Sequence, residues 1–252
     1  MKKKKAAALL LTGAMAVTMC APAAVQAVGV EGVDNTLIAE FDFNTPASGN
    51  VISGTGAVAN VNGTIELQNR LDGDTALYLN GNSGNYLSVT DEDGSSLLTG
   101  YEEITISFDT RQAWTGKSWL VYAAPNANEQ SYPNEHYLGM MVENGGITVE
   151  RYDNTGSRPG NNLTGSVGTN WDHIDLVVSE TDTKLYVNGT MVSQRGSSYK
   201  LSDILENSED AVLYIGKANW TASGEYANCW IDNFRVWDGT LDQAEITAQY
   251  NA

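Results

Sequence analysis

The feature that most constrains this chain is its punctuation. Asn62-Gly63, Asn80-Gly81, Asn144-Gly145 and Asn188-Gly189, with Asp72-Gly73 and Asp93-Gly94, recur between short runs rich in β-branched and aromatic residues. Such pairs accept the positive φ angles that two-residue hairpin turns demand, so a chain punctuated this way folds into antiparallel strands. The clearest strands are expected over 75–79, 86–90, 103–110, 118–123, 137–142, 147–152, 173–179, 183–187, 211–216 and 229–237. Ile104, Ile106 and Phe108 alternate with Thr105, Ser107 and Asp109, the period-two pattern of a strand that buries one face. Lys184 to Val187, Asn188-Gly189 and Thr190 to Val192 form the best local hairpin signal. Helices are expected in two places: a short piece at 201–206, and a terminal helix over 241–250 opened by a capping box of Thr240 and Gln243. Many strands, no βαβ alternation and a helix only at the end predict an all-β fold, a two-sheet antiparallel jelly-roll sandwich with a short C-terminal helix.

Lys2 to Lys5 precede an apolar stretch from Ala6 to Met19, and Val25-Gln26-Ala27 supplies small residues at a cleavage position, the plan of a secretory signal peptide. The expected organisation is a signal peptide over 1–27, cleaved after Ala27, a flexible stretch over 28–36 and one domain over 37–252, in a secreted protein. A lipoprotein signal at Cys20 is the competing reading, and Met19 is bulkier than the small residue that motif takes. No second apolar run of spanning length follows, so no transmembrane segment is expected. No cell-wall sorting signal follows Tyr250, and retention at a surface is expected to come from binding. Residues 1–27 carry four lysines and no acid; their removal would take the net charge from −17 to −21 on 225 residues. That acidity repels phosphate backbones, so no nucleic-acid partner is expected, and binding should rest on stacking and amide hydrogen bonds with little salt dependence. Cys229, the one cysteine left after cleavage, has no basic neighbour and reads as a buried strand residue rather than a nucleophile.

Longer motifs carry a family resemblance. Trp171-Asp172-His173-Ile174-Asp175-Leu176-Val177-Val178 is followed by Leu185-Tyr186-Val187-Asn188-Gly189, and the chain closes with Trp230-Ile231-Asp232-Asn233-Phe234-Arg235-Val236-Trp237, then Leu241, Glu245-Ile246 and Tyr250. With the opening Phe41-Asp42-Phe43-Asn44, these residues resemble the laminin-G-like, concanavalin A-like lectin and glucanase superfamily from about Leu37 onward. The resemblance implies the sandwich fold, which hosts lectins, adhesion modules, carbohydrate-binding modules and glycanases, so function must come from the site. It also implies a structural calcium ion joining the first and last strands, with Asp232 as ligand and Asp42 or Asn44 from the opening strand. His173 is expected to be packed and hydrogen-bonded, and Trp171, Trp230 and Trp237 to lie in the core. Asp91-Glu92-Asp93-Gly94-Ser95 places its glycine too early for an EF-hand loop and reads as a solvated turn.

Glucanases of this fold place their carboxylates as Glu-x-Asp-x-x-Glu. Glu180-Thr181-Asp182 begins that pattern, but Leu185 stands where the second glutamate belongs. Asp172 with Asp175, and Asp232 with Asp238, offer other pairs without that spacing. Aromatic, amide and charged residues do mix in loops four times: Arg111 to Trp114 with Trp119; Tyr132 to Tyr137; Arg151 to Asn154 with Arg158 and Asn161; and Lys217 to Trp220 with Glu225-Tyr226. Sugar rings pack C–H faces on such aromatics while amides and carboxylates satisfy their hydroxyls. The expected ligand-binding residues are Trp114, Tyr132, His136, Tyr152, Arg158 and Trp220. The expected function is non-catalytic binding of an extracellular glycan or polysaccharide. A surface-protein-binding adhesion module and a glycosidase with an atypical site are the alternatives.

Overall fold

The computed structural model describes residues 35–71, 73–128, 135–153, 163–197, 199–220 and 225–252. The expected signal peptide and most of the N-terminal stretch lie outside them, as do Tyr132 and Arg158. The described strands are β1 (Thr36–Phe41), β2 (Val51–Ser53), β3 (Ala57–Asn62), β4 (Glu66–Leu71), β5 (Asp74–Asn80), β6 (Tyr86–Asp91), β7 (Ile104–Gln112) and β8 (Ser118–Ala124). They continue with β9 (His136–Glu143), β10 (Gly146–Asp153), β11 (Leu163–Ser166), β12 (Asp172–Val178), β13 (Asp182–Val187), β14 (Thr190–Gly196), β15 (Val212–Ile215) and β16 (Asn228–Asp238). Helix α1 (Leu201–Ile204) precedes β15, and α2 (Gln243–Tyr250) closes the chain.

The strands form two antiparallel sheets, as their turn chemistry predicts. Sheet A runs β14-β13-β12-β7-β16-β5-β4, with β1 also paired to β16, and sheet B runs β11-β10-β9-β8-β15-β6-β3-β2. The β9–β10 and β13–β14 turns use Asn144-Gly145 (φ 51° and 78°) and Asn188-Gly189 (φ 51° and 72°), the two positive angles of the tight hairpin turn. Strand β16 pairs with β5 over Asn228–Ile231 and with β1 over Phe234–Asp238. It changes partner at a bulge between Asp232 and Arg235, where Asn233 takes φ 49°. No helix of the described residues is long and apolar enough to cross a membrane.

Two expectations at the helices need correction. The first helix ends at Ile204, and the cap of α2 lies two residues later than expected. Asp242 accepts from the Ala244 and Glu245 amides, and Glu245 returns a bond to the Asp242 amide. Thr105 Oγ1 on β7 accepts from the Leu241 amide and donates to the Gly239 carbonyl, both at 3.0 Å, so the segment around Thr240 is tied to sheet A ahead of the helix.

The inter-sheet core holds Leu, Ile, Val and Ala with Phe41, Phe43, Phe108 and Phe234, and no tryptophan or tyrosine is among its fully buried members. Cys229 is buried there as expected, and burial pushes its thiol up to about 12. The core assignment of Trp171, Trp230 and Trp237 is corrected: all three are half-buried and lie outside the apolar layer. On β16, Cys229, Ile231, Phe234 and Val236 face the core, so strand alternation turns Trp230 and Trp237 away from it, and Trp230 Nε1 donates to Gln68 Oε1 at 2.9 Å.

Candidate functional site

Strand alternation decides what sheet B turns outward. On β10, Ile147 and Val149 enter the core, so Glu150 and Tyr152 face away; on β9, Leu138, Met140 and Val142 go in while Tyr137, Gly139 and Met141 go out. A bulge between Trp119 and Val121 on β8 puts Trp119 and Tyr122 on the same outer face. The result is a band of rings across five adjacent strands: Tyr152, Tyr137, Trp119 with Tyr122, Tyr214 and Tyr86. Tyr152 meets Tyr137 edge-on at 4.9 Å, Tyr137 stacks on Tyr122 at 5.3 Å, and Tyr86 meets Tyr214 at 5.3 Å. Gly139 makes room for this packing, since a Cβ there would stand 2.6 Å from the Trp119 ring.

After β15, the segment 216–220 folds back over the band. Asn219 Nδ2 pins it by donating to the carbonyls of Asn126 (2.9 Å) and Asn128 (2.6 Å), and the Ala218 amide donates to Glu225 O. Trp220 is thereby held over the rings, stacked on Trp119 at 5.6 Å and edge-on to Tyr137 and Tyr122 at 5.1 and 5.7 Å, with part of its surface still open. Beside it lies a cavity of about 200 Å³ lined by Lys117, Trp119, Met141, Glu150, Trp220 and Glu225. Glu225 is fixed by Lys117 Nζ at 2.8 Å and by the Trp119 indole N–H. Glu150, only 3% exposed, accepts from Tyr137 Oη at 2.7 Å. The Tyr122 hydroxyl is fully buried and finds no hydrogen-bond partner among the described residues. Burial, reinforced by Tyr214 and Glu150, pushes its pKa well above the usual phenol value. Flat rings beside carboxylates suit a polyhydroxylated ring with apolar faces.

Sheet A turns a different surface outward. Asp109 accepts from His173 Nδ1 (2.7 Å), Arg70 Nη1 (2.7 Å) and Asn233 Nδ2 (3.0 Å), and Arg70 also reaches Asp232 at 2.6 Å. His173 Nε2 faces Asp175 at 3.2 Å, and Ser107 Oγ donates to the same carboxylate at 2.6 Å. Arg70 lies over Trp171 at 4.3 Å, and Arg111 over Trp230 at 3.9 Å. A cleft of about 550 Å³ opens beside this network, bounded by Trp171, Asp172 and Tyr250 among others. Burial alone would lower the His173 pKa, but the two aspartates raise it to about 9. Burial alone would raise Asp109, but hydrogen bonds from His173 and Asn233 and the Arg70 charge hold it at about 2. At Asp232 burial prevails over Arg70 and lifts the carboxyl to about 6.

The expected site residues separate on this framework. Trp220 and Tyr152 both belong to the sheet B band, although Tyr152 is buried and supports its neighbours rather than presenting a face. Trp114 is 51% exposed, lies against Gly116 and stands outside the cavity lining. His136 is half-buried and pairs with Glu206 at 3.1 Å. Glu150, Lys117 and Met141 were not singled out from sequence; the available signal was the same-face spacing of Glu150 and Tyr152 on β10.

The three expected calcium ligands do not fit a metal ion as folded. Asp232 is committed to the Arg70 guanidinium and to the Asn233 amide. Asp42 accepts from the Asn44 amide, and Asn44 spends its own side chain on Asp74 and on the Thr75 amide. No group of three His, Cys, Asp or Glu side chains suited to a metal occurs among the described residues. His173 has the packed, hydrogen-bonded role expected of it.

Two antiparallel sheets around an aliphatic and phenylalanine core, the last strand bridging the first, define a sandwich of the lectin and glucanase type. A laminin-G-type family model, described as the concanavalin A-like lectin/glucanases superfamily, matches residues 80–247, and the chain belongs to this superfamily. Among solved structures it is similar to domain 4 of AbnA, a GH43 extracellular arabinanase from Geobacillus stearothermophilus, in complex with arabinotriose. The identity is 19%, the TM-score 0.61, and the match covers 86% of this chain and 98% of that one. The binding domain of botulinum neurotoxin DC in complex with rat synaptotagmin II matches at 15% identity and TM-score 0.60, covering 85% of this chain and 51% of that one. The serotype D ligand binding domain in complex with N-acetylneuraminic acid matches at 16% and 0.54, covering 77% and 46%. The chain spans about half the length of the toxin domains it matches. These likenesses concern the fold. Comparison with curated proteins yields no match.

Proposed function

We propose that this protein is a carbohydrate-binding module that takes a sugar ring on the outer face of sheet B. The observation that carries this reading is Trp220, held part-exposed over a ring-walled cavity by a loop pinned at Asn219. The cleft on sheet A is larger, but its polar groups already bond one another, so a ligand there would have to displace existing ion pairs. The arabinotriose and N-acetylneuraminic acid complexes of the similar structures are in keeping with a glycan ligand. Export through residues 1–27 belongs to the same proposal and rests on their sequence alone.

Catalysis is not part of the reading. Glu150 and Glu225 line one cavity, yet Glu225 is held by Lys117 and Trp119 in a fixed pairing rather than poised to shuttle a proton. Incubation with diverse polysaccharides should therefore release no reducing ends. A protein partner is the second reading, favoured by the synaptotagmin complex of a similar structure. A glycan array probed with wild-type protein and with Trp220→Ala tests the proposal: saturable signals lost in the variant support it, and a silent wild type overturns it.

A further inference from the structure

The cavity on sheet B has a charge asymmetry that its aromatic walls do not require. Lys117 and Glu225 pair at 2.8 Å and cancel. Glu150 remains, 3% exposed, and among the described residues no cationic side chain pairs with it; its identified donor is the neutral Tyr137 hydroxyl. A buried carboxylate without a counter-charge is costly, and a cationic ligand would remove that cost. The flanks of the same aromatic band already hold ammonium groups. Lys117 Nζ stands 5.5 Å from the Trp119 ring, and Lys217 Nζ stands 4.7 and 4.5 Å from the Tyr86 and Tyr214 rings. Ring faces at such distances attract cations. Lys117 also lines the cavity, but its ammonium is taken by Glu225, and no cation among the described residues pairs with Glu150.

We infer that the cavity receives a protonated amine carried on a sugar ring, with Glu150 as its counter-charge and the Trp119 and Trp220 rings as its walls. This rests on the glycan-binding reading and narrows it. At about 200 Å³ the cavity is smaller than the roughly 300–1,000 Å³ of pockets for drug-sized ligands, so it suits one ring or one headgroup. Acidic sugars would meet Glu150 as a like charge and bind worst. A quaternary ammonium headgroup shares the cationic chemistry but lacks the ring that stacks on tryptophan.

Calorimetric titration of the full chain with a β-1,4-glucosamine trimer, its N-acetylated counterpart and choline tests the inference, using wild type, Glu150→Gln and Trp220→Ala. The expected result is at least tenfold tighter binding of the amine trimer than of the acetylated one. Glu150→Gln should abolish that preference, bringing the two trimers within about twofold of each other, and choline should bind wild type more weakly than the amine trimer does. One glutamate among 31 acidic residues cannot remove a general attraction of the acidic surface for amines, so loss in this variant locates the effect. Equal affinities in wild type, or a preference that survives Glu150→Gln, would overturn the inference, as would choline binding more tightly than the sugar amine. The wild-type comparison stands even if a variant fails to fold. Trp220-dependent binding of both trimers without preference overturns the amine assignment alone; no binding of any carbohydrate overturns the glycan reading with it.

Discussion

The two sheets turn opposite kinds of surface outward. On sheet A, the Asp175–His173–Asp109–Arg70–Asp232 chain links strands β12, β7, β4 and β16 into one network, and with the exception of one Asp175 oxygen its buried polar atoms are partnered. On sheet B, rings fill the space, and among the described residues Glu150 lacks a cation and the buried Tyr122 hydroxyl lacks a partner. The larger cavity adjoins the satisfied network and the smaller one the unsatisfied face. Bonding capacity left over after folding, rather than cavity size, distinguishes a surface built to hold the sandwich from one built to hold a ligand.

That contrast can be broken by perturbing each face and reading both stability and binding. The largest effect is expected from Arg70→Met, which strands the buried Asp232 without its cation and leaves Asp109 with His173 alone as its cation. Urea unfolding should show a loss of about 3 kcal/mol, with glycan affinity unchanged; a parallel loss of affinity would mean that the faces are coupled. Next comes pH. The folded His173 pKa of about 9 lies above its unfolded value of about 6.5, so its contribution is complete below the latter and is lost as pH climbs through the former. Stability should fall by about 2 kcal/mol between pH 7 and 9.5, and His173→Asn should flatten that slope. Asp109 works in the opposite sense: its contribution is present above about pH 3.9 and is lost as pH falls through about 2. Trp220→Ala should cost tenfold or more in glycan affinity, about 1.4 kcal/mol, with a smaller change in unfolding because the ring is half-exposed. Trp114→Ala should stay within about 0.5 kcal/mol in stability and lower affinity threefold at most. The smallest effect is expected from a chelator, which should leave the melting temperature unmoved because Arg70 already serves as the cation at Asp232.

The sandwich was legible because its signals are local: Asn-Gly turns and period-two runs specify strands without reference to distant residues. Edges were harder. β4 and β11 lie at sheet margins and carry few apolar residues, and β2 is only three residues long, so their pattern is weak. The cap lies at Asp242, two residues later than expected, because Asp242 and Glu245 complete the capping box while Thr105, far away in sequence, holds Gly239 and Leu241 against β7. Trp171, Trp230 and Trp237 sat in strand motifs, but a motif does not say which face meets the core. At the site, Trp220 and Tyr152 stood out as aromatics in Asn- and Gly-rich surroundings. Glu150 did not, because its meaning depends on Tyr137 beside it on the next strand and on a loop arriving from beyond β15. Asp232 looked like a metal ligand until Arg70, 162 positions away, was found against it.

The most direct test of the account is glycan affinity measured calorimetrically on one set of proteins: wild type, Trp220→Ala on sheet B and Arg70→Met on sheet A. The account predicts saturable binding in wild type, retained in the folded Arg70 variant and lost at least tenfold in the Trp220 variant. Binding that survives Trp220→Ala but disappears with Arg70→Met would place the ligand on the other face and contradict it.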